Sequence, residues 1–527
     1  MPKVLITDAL SARATEIFRA RGIEVDERIG LAKADLAAAI GDYDGLAVRS
    51  ATKVTAEVLG RPGRLRVIGR AGIGVDNIDV AAATKQGVVV MNAPFGNAIT
   101  TAEHAIALLF AVARQIGAAN VSTHAGKWEK ARFMGVELYG KCLGIIGCGN
   151  IGAIVADRAI GLHMKVAAYD PYLSPERAKA LGVEKVELDE LFARADFITL
   201  HTPLTDATRA IVNRGSIAKM KKGVFIVNCA RGGLVVEADL KAALESGRVA
   251  GAALDVFAEE PAKANPLFGM EQVVATPHLG ASTTEAQEKV AIQIAEQMAD
   301  YLEVGAVANA VNMPAVSAED APKLRPYMRL ARQLGNFIGQ LAAAAPMKRI
   351  AIEFEGAVAQ LNTRPLTAIA LEGALAPSME TVNMVNAPVI AKERGIEVGE
   401  TKYERAANYA TLIRVAAETG RGRLSVSGTL FADEHPRIVE VNGITIEAEL
   451  AANMLFVTND DKPGFIGRLG TVLGDAGVNI ATFHLGRRSR GGEAIALVEV
   501  DDAIAPAVLD RVRDLPHVKE ATALCCF

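Results

Sequence analysis

Two acidic residues and one histidine raise the first chemical question. Residues 251–261 read GAALDVFAEEP, an apolar strand-like segment running into Glu259, Glu260 and a proline, and residues 276–280 read TPHLG. Histidine has the ordinary pKa that suits a general base near neutrality. A carboxylate within hydrogen-bonding reach orients its ring and stabilises the imidazolium. Asp255, Glu260 and His278 all follow apolar runs that read as strands, so they are expected at one edge of a sheet. NCARGG at 228–233 ends another such run and brings Arg231 to the same edge, where its planar fork suits a carboxylate. Taken singly, a loop histidine, a glutamate before proline or a surface arginine is ordinary solvated loop chemistry. Convergence on one edge makes them a candidate site.

That edge has a second marker. GIIGCGNIG places Gly147, Gly149 and Gly152 in the G-x-G-x-x-G spacing, straight after an apolar strand and opening a helix. The first glycine permits a tight turn, the second lets backbone approach a pyrophosphate, and the third allows close helix–sheet packing. A following strand, VAAYD, ends in Asp170, where a carboxylate accepts hydrogen bonds from ribose hydroxyls and repels a 2′-phosphate. NAD is therefore favoured over NADP. Earlier in the chain VRSATK and GRAGIGVDNID end strands, so Arg49, Arg70 and the Gly72/Gly74 turn are expected to face the same cleft. A glycine-rich turn offers an anion nest and the arginines suit a second anion such as a phosphate. Lys130 and Arg132 in GKWEKARFMG are weaker candidates. The remaining histidines, His104 and His201 among them, have no ligand-like spacing.

These residues need a scaffold that gathers strand ends. KVLITD, GLAVRS, LRVIGRAG and VVVMNAP are short apolar runs separated by helical segments ending in glycine, an alternation that argues for a parallel sheet. After the helical stretch ITTAEHAIALLFAVARQIG, a second alternating block runs from CLGIIGCG to VVATPHLG. STTEAQEKVAIQIAEQMADYLEVG then reads as a helix, with Ser282 and Glu285 fitting a capping box. Val290, Ile294, Met298 and Leu302 form its apolar stripe. A helix this long is expected to carry the chain back onto the first sheet, making that domain discontinuous. Residues 316–449 contain strands (RIAIEFEG, LSVSGTLF, PRIVEVNG) but no phosphate loop. The last ~75 residues read as a βαββαβ unit.

The whole chain sets bounds on these readings. At 527 residues it exceeds one core, and about 150 residues per domain suggests three or four domains. The net charge of −4 comes from interspersed signs, so no nucleic-acid or membrane surface is expected. Cys142, Cys148, Cys229, Cys525 and Cys526 have no metal-ligand spacing and read as reduced thiols. The adjacent Cys525–Cys526 pair has no explanation in the sequence. The opening MPKVLITDAL enters a strand pattern at once, without signal-peptide character.

Together, LGIIGCGNIG, AAYDP, NCARGG, GAALDVFAEEP and TPHLGAST resemble the motifs of the D-isomer-specific 2-hydroxyacid dehydrogenases, and GRAGIGVDNID and GKWEKARFMG extend the likeness. The likeness covers nearly the whole chain and fits the long form of that family. It implies an α/β protein with two Rossmann-like parallel-sheet domains. The substrate-binding one is discontinuous (1–96 plus 283–312) and the NAD-binding one spans 97–282. An α+β intervening domain, allosteric-substrate-binding-like, follows at 315–450, and an ACT domain at 453–527. The activity implied is NAD-dependent oxidation of 3-phospho-D-glycerate to 3-phosphooxypyruvate, the first step of phosphorylated L-serine synthesis, in a cytoplasmic homo-oligomer (dimer or tetramer).

Carried over position by position, the resemblance implies catalytic Arg231, Glu260 and His278, and selects Glu260 over Glu259 because the family motif puts the working glutamate before the proline. Cofactor-contacting positions are Gly147, Gly149, Asn150, Ile151, Gly152, Asp170, Cys229, Ala230, Arg231, Asp255, His278 and Gly280. Arg49 and the turn Gly72, Ile73 and Gly74 match substrate-binding positions, with Arg70 beside them. Asn459, Asp461 and Asn479 fall where ACT domains of this family bind L-serine, although Asn459 replaces a bulkier aromatic residue of some relatives. Two other readings stand beside this one. The first is a glyoxylate/hydroxypyruvate reductase or another 2-hydroxyacid dehydrogenase, against which the two extra C-terminal domains count. The second is an NAD-sensing corepressor, against which the intact Arg231, Glu260 and His278 count.

Overall fold

The computed structural model describes residues 1–527 except 317, 318, 344, 380, 406, 407, 433 and 526, so Cys526 lies outside the described residues. The first sheet is parallel, with strand order Glu24–Glu27, Lys3–Ile6, Gly45–Val48, Val67–Arg70, Val89–Asn92. Val4, Leu5 and Ile6, like Leu46, Ala47 and Val48, are all buried. Burial on both faces explains why these strands read as unbroken apolar runs rather than alternating ones.

The second sheet is also parallel and has seven strands, in the order Val273–Ala275, Val249–Leu254, Val224–Asn228, Phe197–Leu200, Cys142–Ile146, Lys165–Tyr169, Glu184–Lys185. Strand order reverses between Cys142–Ile146 and Phe197–Leu200, creating a crevice at their carboxyl ends. The helix Ala98–Ala113 leads into this sheet and packs on its far strands.

The chain then leaves by the helix Thr284–Val304. Val290, Ile294, Met298 and Leu302 form its buried stripe, and Met298 and Ile294 fill the space beside Gly69 in the first sheet. Arg21 of the first unit clasps its far end through Asp300 at 2.8 Å and Glu303. The expected Ser282–Glu285 capping box is not formed. Ser282 donates its N–H back to the Leu279 carbonyl, and the Thr283 hydroxyl caps Ala286 N at 3.2 Å instead.

The third sheet runs Glu397–Tyr403, Met347–Gly356, Thr411–Thr419, Gly422–Phe431, His435–Val441, Ile444–Ala448, antiparallel except for its first pair. Its face is covered by the helices Ala321–Ala342 and Arg364–Leu375, which approach so closely that Gly335 and Gly339 abut the Ala370 and Ala374 carbonyls. The first of these helices was not legible in the sequence, because Pro326 lies within it and breaks the usual helical signature. Asn383 and Asn386, ahead of the helix Ala387–Glu393, donate to the Gly87 and Lys85 carbonyls at 2.9 and 3.2 Å, and Glu393 pairs with Lys85 at 3.3 Å. This unit is thereby tied to the end of the helix Val80–Lys85 in the first unit.

The C-terminal unit is an antiparallel four-stranded sheet, in the order Ile480–Arg487, Glu493–Val500, Asn453–Asp460, Val518–Cys525, with the helices Phe465–Asp475 and Pro506–Arg513. Strand alternation divides its core. Leu455 and Val457 pack under its own helices, whereas Met454 and Phe456 face the preceding unit, where Phe337 meets Phe456 edge-on at 5.7 Å. Among the described residues no single helix is long and apolar enough to cross a membrane.

Candidate active site

The glycine turn occupies the crevice of the second sheet. Gly147 has φ 91, a left-handed conformation that favours glycine, and a side chain there would meet the His201 carbonyl on the neighbouring strand. Gly152 lies against the Gly147 carbonyl, allowing the helix Asn150–Gly161 to start hard against the sheet. Nothing lies within 4 Å of where a Gly149 side chain would begin, so backbone is open to a ligand at that point. Asp170 accepts from Cys148 N and Tyr172 N, each at 2.8 Å, and so closes over the turn. An open glycine, a helix N-terminus and a carboxylate at the adjacent strand end fit a dinucleotide with free ribose hydroxyls.

Three strands along the same edge from Cys142–Ile146, Val249–Leu254 delivers Asp255, which has no exposed surface. Its Oδ1 accepts from the Thr276 hydroxyl at 2.6 Å and Leu279 N at 2.7 Å, its Oδ2 accepts from Gly280 N at 2.8 Å, and His104 Nε2 lies 3.2 Å from Oδ1. Burial alone would raise this carboxyl, but hydrogen bonds from His104, Thr276 and the two backbone N–H groups outweigh it and hold Asp255 below the usual carboxylate range. With its surface covered, Asp255 pins the 276–280 loop through these bonds.

That loop presents His278, whose φ is 57 and whose side chain is half-exposed. His278 Nδ1 lies 2.7 Å from Glu260 Oε2, while Glu260 Oε1 accepts from Phe257 N at 3.0 Å. Burial would raise Glu260; the His278 contact and the Phe257 N–H overcome it and hold the carboxyl low. An ionised Glu260 requires Nδ1 to carry the hydrogen, which leaves Nε2 basic and free to take a proton. Glu259 is exposed and has no side-chain partner among the described residues.

Arg231 follows the strand Val224–Asn228. The buried Asn228 shapes the turn by accepting from Ala230 N at 3.0 Å and donating to the Arg231 carbonyl at 2.8 Å. The Arg231 side chain reaches the first unit, donating from Nε to Asp76 Oδ2 at 2.8 Å and from Nη1 to the Ala230 carbonyl at 2.7 Å. Across the cleft, Arg70 is mostly buried and its Nε has no hydrogen-bond partner among the described residues. Burial and then the like charge of Arg231 lower its pKa to about 10, Arg49 adding to the repulsion and Asp76 opposing it. Its guanidinium occupies the space of a side chain at Gly72, whose φ is 151. Asn92 Nδ2 supports the turn by donating to the Ile73 carbonyl at 2.6 Å, and Asp8 Oδ2 accepts from Arg49 N at 2.6 Å.

Other expected residues lie elsewhere. Arg132 pairs with Glu129 at 2.8 Å and with Glu271, which precedes the amino end of the strand Val273–Ala275, so Arg132 sits at the opposite sheet edge. Lys130 is exposed on the same segment. In the C-terminal unit Asp461 pairs with Arg487 at 3.0 Å, Asn479 Nδ2 donates to Asp501 at 2.8 Å, and the buried Asn459 has an Oδ1 without a partner among the described residues. Three residues of the site escaped the sequence reading: Asp76, Asn228 and His104. Only His104 had a usable signal, since helical spacing puts it on one face with Thr101, whose hydroxyl donates to the Gly280 carbonyl at 3.0 Å.

Comparison with known proteins identifies the family. Residues 106–280 match the model of the D-isomer specific 2-hydroxyacid dehydrogenase NAD binding domain, residues 323–442 the D-3-phosphoglycerate dehydrogenase intervening domain, and residues 453–517 the ACT domain. A D-3-phosphoglycerate dehydrogenase of Methanocaldococcus jannaschii is 43% identical over 99% of this chain and 100% of its own, and that of Bacillus subtilis is 41% identical over 98% of each. A solved protein of Thermus thermophilus matches with a TM-score of 0.54 at 35% identity, covering 59% of this chain and 99% of its own. A glyoxylate reductase of Paecilomyes thermophila gives 0.55 at 30% identity, covering 59% and 98%. The chain thus belongs to the D-isomer specific 2-hydroxyacid dehydrogenase family, in the long form that continues into an intervening and an ACT domain.

Proposed function

We propose that the chain oxidises the C2 hydroxyl of 3-phospho-D-glycerate to give 3-phosphooxypyruvate with NAD, the first step of phosphorylated L-serine synthesis. The observation that carries this reading is the Glu260–His278 pair on the sheet edge from which Arg231 reaches a turn backed by Arg70 and Arg49. A substrate bearing both carboxylate and phosphate needs more cations than a simple 2-hydroxy acid, and the full-length relatives carry the matching name.

In this reading Gly147, Gly149 and Gly152 with Asn150 and Ile151 hold the pyrophosphate of NAD, Asp170 its adenosine ribose, and Cys229, Ala230 and Gly280 its other end. NAD, when bound, supplies the hydride acceptor. His278 Nε2 takes the C2 hydroxyl proton, Glu260 stabilises the imidazolium, and Arg231 fixes the substrate carboxylate. Arg49, Arg70 and the Gly72–Ile73–Gly74 turn receive the phosphate. The cleft then lies between a substrate body of 1–96 plus 283–312 and a nucleotide body of 97–282, with 315–450 and 453–527 as further domains. The test is NADH formation with 3-phosphoglycerate and with unphosphorylated glycerate. The phosphorylated substrate should be preferred at least about tenfold, a factor that one lost charge-assisted contact supplies, and H278A should abolish turnover. Equal use of both substrates would favour another 2-hydroxyacid dehydrogenase, and NAD binding without turnover a corepressor.

We further propose a cytoplasmic homo-oligomer, a dimer or a tetramer. In the 116–139 segment Trp128 is 88% exposed and Tyr139 72%, and Val121 and Met134 line a groove of about 910 Å³. Exposed apolar surface of this kind suits a second copy of the chain. The partnerless Asn459 Oδ1 favours a second ligand, a small amino acid such as L-serine, held by Asn459, Asp461 and Asn479. Millimolar serine that neither binds nor slows the enzyme would exclude it.

A further inference from the structure

The contact between Arg231 and Asp76 joins the two sides of the cleft. Arg231 leaves a strand end of the second sheet, whereas Asp76 lies in the 72–76 turn after the first-sheet strand Val67–Arg70. The Asp76 side chain is 63% exposed and that of Arg231 28%. An ion pair this open adds little to stability, so its geometry matters more than its strength.

Guanidinium has five N–H donors in one plane. Asp76 occupies Nε, and the Ala230 carbonyl takes one hydrogen of Nη1. Both Nη2 hydrogens and the second Nη1 hydrogen remain. Nη2 lies over Gly74, in the space a side chain there would fill, and Asp76 Oδ2 borders the same space at 2.6 Å. The turn is thus shaped around the pair. Charge adds a second reason for the arrangement. Arg231 repels Arg70 and Arg70 is repelled by Arg49 as well, while Asp76 attracts Arg70. Without Asp76 three guanidiniums would crowd one turn, and Arg231, as the one anchored on the other sheet, would swing out.

We infer that Asp76 is a positioning residue for the dehydrogenase reaction. It holds Arg231 by Nε and leaves the Nη1–Nη2 end for the substrate carboxylate. Because the partners belong to different sheets, the pair also registers the two sides of the cleft against each other. The inference rests on the reading of Arg231 as the carboxylate-binding residue.

The test is steady-state kinetics with 3-phosphoglycerate, NADH affinity by fluorescence, and thermal melting, on D76A, D76N, R231A and D76A/R231A. D76A is expected to raise KM for the acid by about tenfold to a hundredfold, the range for one charge-assisted hydrogen bond. NADH affinity and Tm should stay at wild-type values. D76N keeps an oxygen acceptor for Nε and should recover part of the loss, and the double variant should be no worse than R231A. Wild-type kinetics in D76A, or a D76A loss explained by a lower Tm, overturns the inference. Wild-type activity in R231A would instead overturn the assignment of Arg231 itself.

Discussion

His278 Nδ1 lies 2.7 Å from Glu260 Oε2, whereas Glu259, the residue before Glu260, is exposed and makes no hydrogen bond or ion pair among the described residues. Adjacent carboxylates of identical reach are thereby separated into one that orients an imidazole and one that is solvated. E260Q should reduce kcat by about tenfold to a thousandfold, since an oriented general base contributes on the order of 10²–10⁴, and E259Q should stay within about twofold of wild type. Comparable losses in both would contradict the pairing.

Arg70 is a mostly buried cation whose Nε is unpartnered and whose pKa has fallen to about 10. A depression of this size makes holding the charge inside the fold cost roughly 3 kcal/mol at neutral pH. R70M should therefore leave Tm unchanged or raise it by a few degrees, while KM for 3-phosphoglycerate rises about tenfold or more. A large fall in Tm would show that Arg70 holds the fold rather than an anion.

Asp255 titrates below the usual carboxylate range, so its contribution to stability is complete above its unfolded pKa of about 4 and is lost as pH falls through the lower folded value. D255N places an amide against Leu279 N and Gly280 N and should cost about 2–4 kcal/mol at pH 7. Urea unfolding of wild type and D255N should converge as the pH drops toward 3. A gap that stays constant from pH 7 to pH 3 would mean that the carboxylate charge is not what is lost.

Val121 and Met134 border the groove on the nucleotide unit, and Trp128 in the same segment is almost fully exposed. V121D should shift the protein toward lower mass in light scattering by introducing a buried charge into a subunit contact. An unchanged mass would place the contact on another face.

Strand ends were legible because a parallel sheet gathers its functional residues at one edge whatever their separation in sequence. Gly147, Asp170, Arg231, Glu260 and His278 each follow an apolar run, and each sits at that edge. Asp76 and Arg231 are 155 residues apart in different sheets, so only the approach of the two units shows that they meet. Asn228 was hidden inside a strand motif, and His104 looked like an ordinary helix residue until Asp255 turned up beneath it. The helix Ala321–Ala342 was obscured by Pro326, and the helix Thr284–Val304 took its cap one residue later than expected because Ser282 was already engaged with Leu279.

The bonds from Asn383 and Asn386 to Gly87 and Lys85 bear on the Gly72–Asp76 turn in a mechanical way. The helix Val80–Lys85 is a stiff rod about 9 Å long at 1.5 Å per residue. Its N-cap Asp79 follows directly on the turn that carries Gly72, Gly74 and Asp76. Its other end is bolted to the intervening unit. The Gly72–Asp76 turn is therefore one end of a strut whose opposite end is tied to the intervening unit, and neither end can be displaced without loading the other.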